Sequence, residues 1–416
     1  NRQTEGDIDA VPEGGILERR QALVVIHGKH RVALRQNRRG EHGVGRMRAT
    51  QAHALGTQFF QHRGNDLDLF TPEITAFTGM RIQAGNEDAR LRDAELELHV
   101  GVQDPQRGFE LITIPRLPFP RPRNFLSTGW RFFAKWPTAL KIVERAIRER
   151  QVDVVVGVGG YVSAPAYEAA RRTKTPLVIH EANAKPGIAN VWGARSTPYV
   201  GVTFAGTPLP HATTVGTPLR REIENLNIAS VQADARRHFG LNPTQPVLLV
   251  TGGSLGARSI NRTVAASVAT IVDAGYQVLH IVGNSRPEGL PSLPGYVVLD
   301  YCDRMDLALA AATAVVSRAG SATVSELSAL GIPAVYVPYP VGNGEQRFNA
   351  AGVVNAGGGV LVLDDEFTPE WVRTELLPLL ADQARLAEMS TKAEKVGMRD
   401  GTARMMNLID RALSQG

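Results

Sequence analysis

Val247-Leu248-Leu249-Val250-Thr251-Gly252-Gly253-Ser254-Leu255-Gly256-Ala257-Arg258 decides the fold of this chain: an unbroken apolar run, a glycine-bearing turn, then a helical pattern over Ala257–Ala274. A strand buried on both faces reads as such a run rather than as an alternation. A second arrangement of the same kind follows at Val315-Val316-Ser317-Arg318-Ala319-Gly320-Ser321-Ala322-Thr323. Each turn sets a strand's end against a helix's start. The first N–H groups of a helix have no intrahelical partner and its dipole puts partial positive charge there, so a diphosphate can sit at such a turn without a cluster of lysines.

Outward from these turns the same rhythm continues. Candidate strands are Glu110–Ile114, Val152–Val158, Leu177–His180, Tyr199–Thr203, Val247–Val250, Val278–Val282, Tyr296–Leu299, Ala314–Ser317 and Ala334–Pro338, with helical patterns between them such as Trp136–Arg150 and Thr323–Leu330. Strand-helix alternation of this kind predicts a doubly wound α/β architecture. Two such units are expected, breaking near Val215-Gly216-Thr217-Pro218-Leu219-Arg220, with ligand in the crevice between them. The tail from Thr368 to Gly416 is helical in pattern and is placed back across the two halves.

The first 105 residues lack this rhythm. They hold six of the ten histidines, are crowded with Arg and Gln, and contain one convincing apolar run, Ala22–Ile26. Arg/Gln/His-rich text of this kind is what an out-of-frame or misassigned start produces, and ordinary sequence resumes at Arg107-Gly108-Phe109-Glu110-Leu111. A composition of 43% hydrophobic and 21% charged residues over 416 positions suits two globular domains and excludes a disordered or fibrous chain. The single cysteine, Cys302, excludes an intramolecular disulfide framework and a multi-cysteine zinc site, and points to a reducing compartment, with cytoplasm the default. No run approaches the roughly 20 apolar residues that span a bilayer, and Asn1–Asp7 carries no signal pattern, so contact with a membrane is expected to be peripheral.

The net charge of +5 is unevenly spread: Ile114–Arg150 holds nine Lys or Arg against two Glu. Phe119, Phe125, Trp130, Phe132, Phe133 and Trp136 are interleaved with them. Aromatics among cations suit an anionic lipid surface, where each nearby Lys or Arg adds about 1 kcal/mol. The alternatives are ordinary core aromatics and a nucleic-acid surface. Nucleic acid is disfavoured, because no binding motif is present and the start (Pro115, Pro118, Pro120, Pro122) is unlike a groove-entering helix.

From about residue 107 onward, six segments occur together: Gly157-Val158-Gly159-Gly160-Tyr161-Val162-Ser163, His180-Glu181-Ala182-Asn183-Ala184, Val215–Arg220, Gly252–Arg258, Arg318–Glu326 and Gly344-Glu345-Gln346-Arg347-Phe348-Asn349-Ala350. One alone is weak; six in this order resemble the MurG family of UDP-N-acetylglucosamine transferases, and most closely its actinobacterial branch. The resemblance implies a GT-B fold, with two Rossmann-like doubly wound domains around a cleft. It also implies transfer of N-acetylglucosamine from UDP-GlcNAc to the lipid I acceptor, undecaprenyl-diphospho-MurNAc-pentapeptide, in peptidoglycan synthesis. That division is expected as an atypical segment at 1–105, an acceptor and membrane-facing domain at 106–215, a donor domain at 216–385 and a helical tail at 386–416. The implied setting is the cytoplasmic face of the cell membrane, held peripherally beside cell-wall assembly proteins, with no cofactor and no nucleic acid.

Candidate donor-site residues are Asn183, Arg220, Ser254, Cys302, Ser321, Ala322, Thr323, Val324, Ser325, Glu326 and Gln346. Ser254 and its glycines offer N–H and hydroxyl donors to a diphosphate, and Arg220 offers a bidentate cation to a leaving group. By resemblance Glu326 takes the ribose hydroxyls; Thr323-Val324-Ser325-Glu326 also has the form of a capping box, in which Glu326 would satisfy a backbone N–H instead. Cys302 stands where the family offers a backbone amide to uracil, or is a core thiol. The amides of Asn183 and Gln346 suit sugar hydroxyls and an N-acetyl group, or serve as caps or solvated groups. Gly159, Gly160 and Tyr161 form the turn expected to take the acceptor diphosphate. His180 is a weak catalytic candidate or a structural histidine. The family's first loop, Gly-Gly-x-x-Gly-His, has no counterpart: Gly14-Gly15 lacks the following Gly-His and His27-Gly28-Lys29-His30 has the wrong composition, so no early histidine takes the role of general base. No Asp-x-Asp motif or His/Cys cluster points to a metal. The other readings are a UDP-sugar 2-epimerase of the same fold, and a UDP-sugar-binding remnant that has lost catalysis.

Overall fold

The computed structural model describes residues 22–25, 31–35, 109–115, 117, 125–160, 162–253, 256–341 and 344–415. Most of the atypical segment at 1–105, including its proposed misassignment, lies outside these residues. Two short pieces of it are described, and both are strands of the first sheet.

That sheet holds β1 (Ala22–Val25), β2 (Arg31–Arg35), β3 (Phe109–Thr113), β4 (Val154–Gly157), β5 (Leu177–Glu181), β6 (Tyr199–Val202) and β7 (Ala212–Thr214), in the order β3-β2-β1-β4-β5-β6-β7. β1 runs parallel to β4, Leu23 opposite Val155, whereas the β1–β2 and β2–β3 pairs are antiparallel. The remaining pairs are parallel. Helices α1 (Phe125–Glu149), α2 (Ser163–Thr173) and α3 (Ile188–Gly193) belong to this half. Val143, Ile147, Val155, Ile179 and Val200 are among its buried core residues.

The second half begins with α4 (Arg221–Glu224) and α5 (Ile228–His238). It continues through β8 (Val247–Thr251), α6 (Arg258–Asp273), β9 (Gln277–Ile281), β10 (Tyr296–Leu299), α7 (Met305–Ala311), β11 (Ala314–Ser317), α8 (Ser321–Ala329), β12 (Ala334–Tyr336), α9 (Glu345–Asn355) and β13 (Gly359–Leu361). Its six strands are all parallel, in the order β10-β9-β8-β11-β12-β13. Every residue of β8, β9 and β11 is buried, which is why these strands read as continuous apolar runs. The chain closes with α10 (Pro369–Trp371), α11 (Leu377–Ala381), α12 (Gln383–Val396) and α13 (Gly401–Gln415).

All nine expected strands are present within two residues at either end. β2, β7 and β13 escaped: β2 lies in the segment that reads as atypical, and the three-residue strands β7 and β13 carry little pattern, β7 being also largely exposed. The first helix starts at Phe125, not Trp136, and runs through Pro137. A proline near the front of an apparent helix looks like its first turn; here it lies in the middle.

The tail does cross between the halves, as expected. α12 packs beside α8, while α13 lies on β4, β5 and β6 of the first sheet. Tyr199 donates its hydroxyl to Gln415 Oε1 at 2.8 Å, and Met405 and Leu408 approach Gly201, where no side chain intervenes. Arg399 fastens the crossing by donating to the carbonyls of Ala329 and Leu226, both at 2.8 Å. The two crossings, near Gly216 and near Gly401, touch each other: Met398 lies against Gly216, and a Cβ on Gly401 would fall 2.4 Å from Thr217 O. The backbone has nowhere to yield there. Gly401→Ala is expected to cost roughly 1–3 kcal/mol, read as a lower urea midpoint with an unchanged far-ultraviolet spectrum.

Candidate active site in the cleft

β8 and β11 are parallel neighbours with Thr251 opposite Ser317, so the two glycine turns that follow them open side by side. A Cβ on Gly252 would lie 2.2 Å from Ala257 N, and one on Gly256, at φ +74°, would lie 2.2 Å from Val282 O. Only glycine fits. The first intrahelical bonds, Asn261 N to Ala257 O at 2.8 Å and Val324 N to Gly320 O at 2.9 Å, leave the preceding N–H groups pointing out of each helix end. For α8 these belong to Ser321, Ala322 and Thr323. Ser321, Val324 and Ser325 are buried, Ala322 and Thr323 partly so. Ser254 lies outside the described residues.

The capping-box reading of Glu326 is overturned. The helix is capped by Gly320 and begins at Ser321, so Thr323 already lies inside it. Glu326 instead accepts from Arg220 Nη2 at 3.4 Å, across the hinge. Burial pushes the Glu326 carboxyl above its ordinary range, and Arg220 opposes that shift. Cys302 is buried in the core of the second half, and burial raises its thiol to about 11.

Two amides of α9 organise the loop ahead of α8. Gln346 Oε1 accepts from Ala319 N at 3.2 Å and Tyr339 N at 2.9 Å. Asn349, one turn on and buried, donates to Ala319 O at 3.3 Å and to Asn183 Oδ1 at 3.2 Å, and accepts from Ala184 N at 2.9 Å. Asn183 and Gln346, far apart in sequence, thus converge on one loop through a residue that the sequence reading did not single out. Its only signal was its place in the Gly344–Ala350 segment. Arg318 holds the other side of the loop, donating to Val337 O, Pro338 O, Ser259 Oγ and Asp364 Oδ1.

In the first half, Gly159 and Gly160 have φ of +87° and +79°, and Tyr161 lies outside the described residues. The bare faces of Gly157 and Gly193 make a slot for the Tyr167 ring. Its hydroxyl accepts from Gly159 N at 3.2 Å and donates to Asn190 Oδ1 at 2.6 Å. Asn190 passes the chain to Glu181 Oε2 at 2.8 Å. The Glu181 carboxylate also accepts from Asn183 N and Gly187 N, both at 2.9 Å, so it holds the turn that carries Asn183. Desolvation raises its pKa, and these donors pull it back.

His180 is fully buried, and its Nε2 donates to Gly216 O at 2.9 Å. Burial lowers its pKa to about 4, with the Gly216 bond opposing. The imidazole is thus held against the hinge, where burial favours its neutral form. Beside it, Thr203 Oγ1, Thr217 Oγ1 and Ser325 Oγ form a hydroxyl chain with spacings of 3.1 and 3.0 Å that joins the hinge to α8.

Residues 92–201 match the glycosyltransferase family 28 N-terminal domain and residues 247–405 match the glycosyltransferase family 28 C-terminal domain. The chain belongs to glycosyltransferase family 28. Among relatives, it is 57% identical over 310 residues, 74% of this chain and 86% of the other, to the UDP-N-acetylglucosamine–N-acetylmuramyl-(pentapeptide) pyrophosphoryl-undecaprenol N-acetylglucosamine transferase of Leifsonia xyli subsp. xyli. The enzyme of that name from Acidothermus cellulolyticus is 50% identical over 318 residues, 74% and 85% of the two chains. The crystal structure of Acinetobacter baumannii MurG superposes with a TM-score of 0.56 at 25% identity, covering 67% of this chain and 79% of that one. A putative UDP-N-acetylglucosamine 2-epimerase from Listeria monocytogenes shares the fold, with a TM-score of 0.52 over 68% and 79% of the chains, but only 14% of residues. The family 28 assignment, the two α/β sheets and the likeness to MurG make this a glycosyltransferase of GT-B fold, and the epimerase alternative is the weaker one.

Replacing Glu181 tests the first-half network. Glu181→Gln puts an amide NH2 or a weaker acceptor against N–H donors inside a buried turn. A loss of roughly 1–3 kcal/mol is expected in urea unfolding, together with a higher KM for the acceptor.

Proposed function

We propose that this chain transfers N-acetylglucosamine from UDP-GlcNAc to undecaprenyl-diphospho-MurNAc-pentapeptide, converting lipid I to lipid II with inversion at the anomeric carbon. The observation that carries this is the grouping of two side-by-side glycine turns with the N-terminus of α8 and the Arg220–Glu326 pair. Relatives of 50–57% identity bear the name of that transferase. The UDP diphosphate lies against the turn that includes Ser254 and the N–H groups of Ser321, Ala322 and Thr323. Arg220 neutralises charge as UDP departs, and Glu326 accepts from the ribose hydroxyls. Such electrostatic stabilisation supplies the leaving-group chemistry without a metal. Gln346 and Asn183 line the sugar, Cys302 offers its backbone to uracil, and the turn of Gly159, Gly160 and Tyr161 receives the acceptor's diphosphate.

α1 is the proposed membrane-facing surface. Trp130 and Phe133 are 66% and 63% exposed, while Phe132 and Trp136 pack partly against the core. Trp136 meets the part-exposed Trp192 of α3 at 6.4 Å, and Ile188 of α3 is exposed as well. Lys135 is exposed on the same helix. Among the described residues no helix is long and apolar enough to cross a membrane. An aromatic surface beside cations suits peripheral binding to anionic lipid. That surface belongs at the cytoplasmic face, where cell-wall assembly proteins are the expected neighbours.

The deciding assay follows labelled N-acetylglucosamine from UDP to a soluble lipid I analogue. Transfer is expected; UDP binding without turnover would identify a binding remnant, and epimerised UDP-sugar without acceptor would identify an epimerase. Arg220→Ala and Glu326→Gln are each expected to raise the KM for UDP-GlcNAc about tenfold or more, the scale of one charged hydrogen bond, and unchanged donor binding in the double variant would sink the site assignment. Trp130→Ser with Phe133→Ser is expected to weaken sedimentation with phosphatidylglycerol vesicles while leaving turnover of the soluble analogue intact.

A further inference from the structure

A second buried histidine, His280, stands on β9, outside every contact the transfer reaction uses, and it too is fully buried. Its Nδ1 lies 2.9 Å from Tyr296 Oη and its Nε2 lies 3.1 Å from Asn261 Oδ1. Asn261 is also fully buried, on the second turn of α6, the helix that opens at the glycine turn. The amide nitrogen of Asn261 donates to Val282 O at 2.8 Å and Ser285 O at 3.0 Å.

These four contacts fix every proton. Two backbone carbonyls can face only the NH2 of Asn261, since the reversed amide would set oxygen against oxygen. Asn261 Oδ1 therefore faces His280, so Nε2 carries the ring proton. Nδ1 is then an acceptor, and the Tyr296 hydroxyl donates to it. Burial lowers the imidazole's pKa to about 4, which keeps it in this neutral form. The chain of bonds ends on the 282–285 turn. Val282 O of that turn lies 2.2 Å from where a Cβ of Gly256 would stand, and Ser285 Cβ lies at 3.2 Å from the same point. The turn that Asn261 holds is thus the wall against which the glycine turn rests.

We propose that His280 is a positioning residue for the sugar nucleotide: as the Nε2–H tautomer it supports Asn261, which holds the 282–285 turn and through it the wall against which Gly256 rests, beside the place where a nucleoside diphosphate binds. The proposal rests on the donor site placed above. His280 touches no substrate, so its effect falls on donor affinity and not on the chemical step. Deleting its N–H leaves the buried Asn261 Oδ1 without a donor, which weakens the hold of Asn261 on the 282–285 turn and so on the wall of the glycine turn.

The test compares the full chain with His280→Leu, His280→Gln and Tyr296→Phe. KM for UDP-GlcNAc, kcat, KM for the soluble acceptor, and calorimetric Kd for UDP are measured on each. Histidine ring 15N shifts of the unsubstituted protein are read alongside. His280→Leu is expected to raise the donor KM and the UDP Kd about tenfold, with kcat and the acceptor KM within about twofold. His280→Gln, whose amide can replace the Nε2–H donor, is expected to stay within about threefold of the unsubstituted protein, and Tyr296→Phe to fall between the two. The ring shifts should report the Nε2–H tautomer. Unchanged UDP affinity in a folded His280→Leu protein, or a fall in kcat at constant donor KM, would overturn the proposal. So would the Nδ1–H tautomer, which needs no variant to fold. An unsubstituted chain that binds no UDP would instead remove the donor-site reading, and the proposal with it.

Discussion

The second half turns on a place where a side chain cannot exist. Between β8 and α6 the backbone at Gly252 and Gly256 runs so close to Ala257 N and Val282 O that a single added carbon would sit at 2.2 Å from each. This closeness brings a helix end, with its outward N–H groups, to the edge of a fully buried strand. The neighbouring strand repeats the device at α8. Polar residues nearby serve mainly to keep those two turns where they are: Arg318 and Gln346 on one, Asn261 and His280 on the other.

The first half works with different materials. Its turn at Gly159 is held by side chains threaded behind it, Tyr167 to Asn190 to Glu181, and the last of these also fixes the turn bearing Asn183. Asn349 then reaches from the donor half to that same turn. The turn at Gly159, the turn bearing Asn183 and the loop ahead of α8 are therefore linked by hydrogen bonds from one half to the other. Thr217 adds a second link, through Ser325, beside the Arg220–Glu326 pair. Buried polar groups of this kind are costly unless fully bonded, and so they discriminate sharply between one arrangement of the halves and another.

Much of this was legible beforehand because buried parallel strands leave a coarse imprint. Runs such as Val247–Val250 and Ala314–Ser317 have no polar face to confuse them, and the glycine turns follow at once. What escaped is what depends on distance in three dimensions. Thr323 to Glu326 satisfies the spacing of a capping box, yet the cap falls at Gly320, because the backbone leaving β11 turns three residues sooner. His180 reads equally as a weak catalytic candidate or a structural histidine, and its burial against Gly216 follows only from its place on β5. Asn349 and Asn261 carry no local mark of their partners, which lie 165 and about 20 residues away respectively. Pro137 concealed the first part of α1 and with it the helical setting of Trp130 and Phe133.

The crossing of the tail has a consequence for how the protein is made. The first sheet is covered on one side by α13, whose Met405 and Leu408 fill the surface over Gly201 and whose Gln415 binds Tyr199. During synthesis the strands β4 to β6 emerge some two hundred residues ahead of that helix. The strands of the second half, by contrast, are contiguous in the chain. One face of the first sheet is therefore completed by a helix that lies about two hundred residues further along the chain.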